Sequence, residues 1–186
     1  MSTAKTKDDP VPHEVREAML IRLGREHDLR TFVETGTAQG AMLEALLPYF
    51  DHLYSVELEP TYYQYSSTHI GLNAKVKVSW GDSVPWLQAL VPTLDEPALI
   101  SLDAHFSGPG TAQGPAGDTP VAYELGSVME YPALCPVVVV DDARLFGYDP
   151  AYPSITYVRL FSEERGYSFE HTQDAFILRA HQHGAG

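Results

Sequence analysis

The fold of this chain is decided by residues 31–43, Thr-Phe-Val-Glu-Thr-Gly-Thr-Ala-Gln-Gly-Ala-Met-Leu. Residues 31–33 favour a buried strand, because β-branched and aromatic side chains pack well on a pleated sheet. Gly36 and Gly40 allow a sharp turn and a close approach of a ligand to the backbone, since neither carries a Cβ atom. The apolar residues from Ala41 onward predict a helix packed on the sheet. Such a turn directs backbone N–H groups and a helix N-terminus toward a ligand.

Length and charge limit the kinds of function. The chain has 186 residues, which suits one domain with a single core, and 44% of them are hydrophobic, as in a globular protein. The formal net charge is −13, from 25 acidic and 12 basic residues. Nucleic acids and anionic membranes require clustered Lys and Arg, so we expect neither as a partner. A divalent cation or a neutral small molecule is the more natural ligand.

Cysteine usage and the N-terminal residues indicate the compartment. Cys135 is the only cysteine, which excludes an intrachain disulfide and favours a reducing environment. Residues 1–12 are polar and do not resemble a signal peptide, and no stretch approaches the roughly 20 apolar residues of a membrane helix. We therefore expect a cytoplasmic protein.

The remainder of the chain alternates between predicted strands and helices, which predicts a mostly parallel sheet. The later predicted strands are residues 52–59, 76–80, 98–103 and 137–140, followed by a hairpin of residues 167–172 and 175–180. We expect residues 1–30 to form a leader and a helix, and residues 31–182 to form a single domain. Residues 106–120 are rich in glycine and proline and predict a lid loop within that domain.

Acidic residues stand at the ends of the first three predicted strands: Glu34, Glu57 and Asp82. The pattern Glu34-x-Gly36-x-x-x-Gly40 resembles E-x-G-x-x-x-G, the first motif of class I S-adenosylmethionine-dependent methyltransferases. The resemblance implies an α/β fold of the Rossmann-like methyltransferase type. Its sheet has seven strands in the order 3-2-1-4-5-7-6, with an antiparallel closing strand and helices on both faces.

The resemblance also implies which residues bind S-adenosylmethionine. The residues beneath its methionine and sulfonium would be Glu34, Thr35, Gly36, Thr37 and Gly40. Glu57 would accept hydrogen bonds from the ribose hydroxyls, Asp82 would accept from the adenine amine, and the Ser83 N–H would meet a ring nitrogen. From the residues alone, Glu57 is equally compatible with a solvated charge, and Asp82 with an N-cap.

A second group of acids follows the next two strands. Asp103 ends the fourth predicted strand, and Asp141-Asp142 ends the fifth, which is its neighbour in this topology. Like charges this close are costly, and a divalent cation would relieve them; oxygen ligands suit Mg²⁺ or Mn²⁺. The arrangement resembles the metal-dependent sugar O-methyltransferases of macrolide and aminocoumarin biosynthesis. That resemblance implies Asp103, Asp141 and Asp142 as metal ligands, with capping after a buried strand as the alternative for the Asp pair.

The candidate catalytic residues are Asp103 and His105. His105 is the candidate general base, because histidine has an unperturbed pKa of about 6.5, close to neutral pH. It is also compatible with a fourth metal ligand, or with a hydrogen bond to a loop carbonyl. Glu124 is a further candidate for facing the site. Arg144 follows the Asp pair and is compatible with two roles, neutralising that pair or holding an anionic substrate.

We therefore expect a methyltransferase that uses S-adenosylmethionine and a divalent cation to methylate an oxygen of a small hydroxylated acceptor, with a homodimer as one way to complete the pocket. The alternatives are N-methylation, a metal-dependent enzyme without the cofactor, and a binding protein on the same fold.

Overall fold

The structure is a computed structural model that describes residues 10–103 and 119–181. The predicted His105 and all but the last two residues of the predicted lid therefore lie outside the described residues. The strands are β1 (Thr31–Thr35), β2 (His52–Glu57), β3 (Val76–Trp80), β4 (Ala98–Leu102), β5 (Val137–Asp141), β6 (Tyr167–Thr172) and β7 (Ala175–Ala180). The α-helices are α1 (His13–Glu26), α2 (Ala41–Leu46), α3 (Pro60–Thr68), α4 (Ser83–Leu90), α5 (Val121–Met129) and α6 (Ile155–Glu163).

The seven strands form one sheet in the order β3-β2-β1-β4-β5-β7-β6, which confirms the predicted fold class. Pairing is parallel from β3 through β5, whereas β7 runs antiparallel to both β5 and β6. β1 pairs with β2 on one side and with β4 on the other. The strands that follow β1 are therefore added first on one side of it and then on the other. Ligands of open parallel sheets bind beyond the carboxyl ends of the strands at such a switch point.

Two hydrophobic clusters cover the two faces of the sheet. Neighbouring strand residues alternate between them: Phe32 belongs to the cluster with α1 and α2, and Val33 belongs to the cluster with α4, α5 and α6. The four valines of β5 divide in the same way, and all are buried. A strand buried on both faces is expected to be apolar, as the four valines of β5 are, and Asp141 stands only at its carboxyl end. The core therefore fixes the central strands rigidly beneath the polar groups at their carboxyl ends.

The second strand is shorter than predicted. It ends at Glu57 rather than Glu59, because the Glu59 carboxylate accepts a hydrogen bond from the Tyr62 N–H at 2.8 Å and caps α3. Glu59 is therefore part of a helix cap and does not extend the strand. Within residues 10–103 and 119–181, none of the helices combines the length and apolarity needed to cross a membrane.

Candidate cofactor and acidic site

The turn after β1 depends on its two glycines. Gly36 and Gly40 both have φ of +82°, in the left-handed region that side chains disfavour. The N–H groups of Gly36 and Thr37 donate to the Val56 carbonyl of β2 at 3.0 and 3.3 Å. A Cβ atom at Gly40 would lie 2.7 Å from Ile70 Cγ2, so the helix that follows is packed too closely for a larger residue. The turn is therefore a tight, preformed backbone surface at the sheet edge.

Glu57 ties that turn to the end of β2. One carboxylate oxygen accepts from the Ala38 N–H at 2.7 Å, and the other accepts from the Glu59 N–H at 2.8 Å. The side chain is buried, with 8% of the residue exposed. Each carboxylate oxygen can accept a second hydrogen bond, so the group can still bind hydroxyls of a ligand. The residue predicted to meet the ribose is thus a rigidly held acceptor at the sheet edge.

Glu34 lies beneath the same turn in a buried hydrogen-bond chain. The Ser55 hydroxyl donates to Glu34 at 2.9 Å, and the Thr37 hydroxyl lies 2.5 Å from that of Ser55. Because Ser55 donates to the carboxylate, Thr37 donates to Ser55. Burial raises the pKa of Glu34 to about 8, and the Ser55 hydrogen bond opposes this only in part. Glu34 therefore supports the turn from below.

The ends of β2 and β3 are joined beside this turn. The Gly81 N–H donates to the Glu57 carbonyl at 3.0 Å, and the Asp82 side chain accepts from the Val84 N–H at 2.9 Å. Asp82 is thus the N-cap of α4, as the alternative interpretation held, and Ser83 is buried as the first residue of that helix. Only one of the two Asp82 oxygens makes the capping bond. A cap of this kind leaves the other oxygen able to accept from a ligand.

The three predicted metal-ligating aspartates lie together. Asp103, Asp141 and Asp142 each place one carboxylate oxygen within 4.8 Å of the other two. The pairing of Leu102 with Val140 in adjacent strands brings the residues that follow them to the same edge. Asp142 has φ of +59°, so the chain turns sharply there and returns its side chain to the cluster. Asp141 and Asp142 are both buried.

Within residues 10–103 and 119–181, two arginines offset part of the negative charge of the cluster. Arg16 of α1 places Nη2 2.5 Å from Asp103 Oδ2 and 2.6 Å from Asp141 Oδ2. Arg144 places Nη1 2.5 Å from Asp142 and also contacts Asp174, at the hairpin turn. Burial raises the pKa of Asp141 to about 8, the negative charge of Asp103 adds to this, and Arg16 opposes it.

Glu124 is a fourth acid at the site. It lies on α5 with no exposed surface, and it lines a small cavity together with Asp103, Asp141 and Tyr152. Burial raises its pKa to about 7, although the Ser83 and Thr35 hydroxyls lower it in part. Glu124, which the sequence indicated only as a candidate, therefore faces the acidic site.

Sequence reasoning missed Arg16 and Asp174. Arg16 lies three and four residues before Met19 and Leu20, two buried residues of α1, so its spacing already placed it on the buried face. A basic residue on that face in a strongly acidic chain is the signal that could have identified it.

The donor set fits a divalent cation. The aspartates offer hard carboxylate oxygens, which Mg²⁺ and Mn²⁺ prefer. The guanidinium of Arg16 stands between two of these carboxylates as a bound cation, so the cluster accepts positive charge at that point.

The sequence matches no known family model and no curated protein. Solved structures do match. The O-methyltransferase TomG from Streptomyces achromogenes, involved in tomaymycin synthesis and solved with SAM, is 20% identical with a TM-score of 0.64, over 93% of this chain and 83% of that chain. A putative caffeoyl-CoA O-methyltransferase from Staphylococcus aureus is 17% identical with a TM-score of 0.63, over 92% and 86%. The N-methyltransferase NodS from Bradyrhizobium japonicum is 14% identical with a TM-score of 0.59, over 89% and 93%. At these identities the similarity shows a shared fold.

Proposed function

We propose that this protein is an S-adenosylmethionine-dependent methyltransferase that methylates an oxygen of a small hydroxylated acceptor with the help of a divalent cation. One observation carries the proposal. A tight glycine turn, a fixed carboxylate at the end of β2 and a cluster of three aspartates lie along one edge of a sheet with methyltransferase strand order. The cofactor supplies a methyl group on a sulfonium, so the protein mainly needs to align the acceptor and activate it.

The cofactor side of the site is formed by the ends of β1, β2 and β3. Gly36 lets the methionine portion lie against the backbone of the turn, and Gly40 keeps the left-handed conformation that closes the turn. Glu57 is held by two backbone N–H groups and accepts from the ribose hydroxyls. Asp82 accepts from the adenine amine with the oxygen that does not cap α4.

The acceptor side is formed by the ends of β4 and β5. Asp103, Asp141 and Asp142 would hold the cation, which supplies a Lewis acid that binds two neighbouring hydroxyls and lowers the pKa of the one that is methylated. Arg144 fixes the orientation of Asp142 through its contact with Asp174. Glu124 adds a buried acid to the wall of the same cavity. His105 stays our candidate for the base.

A small acceptor, rather than a nucleic acid, agrees with the net charge of −13. Phosphate-rich partners require clustered basic residues. The two arginines at the site are already paired with aspartates.

Isothermal titration with S-adenosylhomocysteine tests the cofactor proposal. We expect the wild-type protein to bind and Glu57→Gln to bind roughly 10- to 100-fold more weakly, because hydrogen bonds to a charged group contribute about 1.5–3 kcal/mol. Glu59→Gln is the matched control, since it removes the neighbouring carboxylate, which caps α3. Thermal unfolding of all three proteins checks that the turn is intact. No binding by the wild-type protein at millimolar S-adenosylhomocysteine would reject the proposed function.

Equilibrium dialysis with Mn²⁺ tests the metal separately. Asp142→Asn should weaken binding, whereas Asp149→Asn, an exposed aspartate a few residues later, should leave it unchanged. Absence of Mn²⁺ binding to the wild-type protein, to Asp142→Asn and to the arginine variants described below would remove the metal from the proposal and leave the cofactor part standing.

A further inference from the structure

The guanidinium of Arg16 occupies the place where a divalent cation would bind. Nη2 of Arg16 contacts Oδ2 of both Asp103 and Asp141, at 2.5 and 2.6 Å. These residues are two of the three that bring their carboxylate oxygens within 4.8 Å of one another. We propose that Arg16 is an exchangeable internal cation that sets the metal affinity of this site: it must leave both carboxylates before a divalent ion can bind them. This inference rests on the metal part of the proposed function.

The geometry makes the two occupants mutually exclusive. Mg²⁺ or Mn²⁺ lies roughly 2.1 Å from its carboxylate oxygens. The guanidinium is already in contact with one oxygen of each aspartate, and both contacts use the same nitrogen. Asp141 is buried, so water screens little of the repulsion between two positive charges placed there. A divalent ion and the Arg16 guanidinium therefore cannot share these oxygens.

The side chain of Arg16 can move away from its carboxylates more easily than the side chain of Arg144. About a quarter of the Arg16 side chain is exposed, 26%, and α1 is anchored by apolar residues further along, including Leu20 and Leu23. Its guanidinium can thus swing toward solvent while the helix stays packed. Arg144 is held in addition by a hydrogen bond from its backbone N–H to Asp174, at 2.8 Å. Arg144 therefore stays beside Asp142, and Arg16 is the arginine that leaves its carboxylates when a metal binds.

The exchange also explains how the acids can be buried together before a metal binds. Neighbouring carboxylates raise one another's pKa values and oppose ionisation. With Arg16 between them, Asp103 and Asp141 have a compensating charge within the chain itself. Removal of Arg16 should therefore lower the stability of the metal-free protein and raise its affinity for the metal. Loss of a purely structural ion pair would lower the stability without raising the metal affinity.

The test is Mn²⁺ affinity, measured from the paramagnetic resonance signal of free Mn²⁺, for the wild-type protein, Arg16→Met and Arg22→Met. Arg22 is an exposed arginine on the same helix that pairs with Glu26, so it is the matched control. We expect Arg16→Met to bind at least tenfold more tightly than the wild-type protein, and Arg22→Met to bind like the wild-type protein. Equal affinity in Arg16→Met and the wild-type protein overturns the inference and leaves the metal site intact. Absence of binding in every variant overturns both the inference and the metal site.

A second measurement needs no variant. The side-chain N–H signal of Arg16 in the wild-type protein should shift during a Mg²⁺ titration, while that of Arg22, which pairs with Glu26 on the same helix, stays in place. An Arg16 signal that does not move as Mg²⁺ saturates the protein contradicts the exchange, even if Arg16→Met fails to fold. Titration with S-adenosylhomocysteine alone should leave the Arg16 signal unchanged, which separates this result from cofactor binding.

Discussion

Replacement of Glu124 by glutamine should stabilise the protein, and the gain should grow as the pH rises. Glu124 has no exposed surface, and burial raises its pKa from an ordinary 4.5 to about 7. Between these two values the folded protein holds a proton that the unfolded chain has released. The stability of the wild-type protein therefore falls as the pH rises through this window, and the loss is complete above pH 7. Glutamine does not ionise, so it escapes this loss.

The size of the effect follows from the two pKa values. One pH unit corresponds to about 1.36 kcal/mol, so the full difference is about 3 kcal/mol above pH 7. At pH 5.5 only about 1 kcal/mol of it has developed, by the same relation. The advantage of Glu124→Gln should thus increase by about 2 kcal/mol between pH 5.5 and pH 8. A constant cost of packing the amide cancels in this comparison.

Urea unfolding of both proteins at several pH values, with a chelator present, measures this increase. Glu130→Gln is the control, because Glu130 is an exposed glutamate immediately after the same helix. Its effect should be small and equal at every pH. A Glu124→Gln advantage that stays constant, or that shrinks as the pH rises, would show that the carboxylate is ionised in the folded protein and would refute the reasoning.

Two further predictions concern the turn and the adenine end of the site. In urea unfolding, Gly40→Ala should destabilise the protein by about 2–4 kcal/mol, because it combines a positive φ with a Cβ atom 2.7 Å from Ile70 Cγ2. The control is Gly126→Ala, in α5 with open space around it, which should be neutral or stabilising by up to about 1 kcal/mol. A destabilising effect of similar size at both positions would contradict the turn argument. Asp82→Ala should cost about 1 kcal/mol of stability through loss of the α4 cap, whereas Asp82→Asn should keep the cap. Both Asp82 variants should bind S-adenosylhomocysteine about tenfold more weakly by calorimetry; unchanged binding in Asp82→Asn would restrict Asp82 to capping.

Local pattern was enough to predict a mostly parallel sheet, whereas its strand order was implied by the resemblance to the methyltransferase family. Alternating strands and helices predict parallel pairing, and the residues after the last helix predict a hairpin. The position of its second strand, β7, between β5 and β6 was implied by the resemblance. Because strand ends follow from the same pattern, Glu57 and the three aspartates were also found. The predicted end of β2 was wrong by two residues. The local pattern continues the strand to Glu59, and only the hydrogen bond from the Tyr62 N–H shows that Glu59 caps the next helix.

The missed features depend on contacts between distant parts of the chain. Arg16 meets Asp103, 87 residues later, through the packing of α1 on the domain, and no local pattern specifies that docking. Asp174 meets Arg144 only because β7 returns beside β5. The raised pKa of Glu124 likewise depends on complete burial, which requires the assembled core. Sequence therefore locates the acids along the sheet edge, while their charge states and partners require the three-dimensional structure.

The most direct test of the central claim is a crystal structure of the protein soaked with S-adenosylhomocysteine and Mn²⁺. We predict density for the cofactor product across the carboxyl ends of β1, β2 and β3, with its ribose hydroxyls within hydrogen-bond distance of Glu57. We also predict an anomalous peak for Mn²⁺ among Asp103, Asp141 and Asp142, with the Arg16 guanidinium displaced from it. Crystals that show no S-adenosylhomocysteine at this edge after soaking at millimolar concentration would contradict the assignment as a methyltransferase.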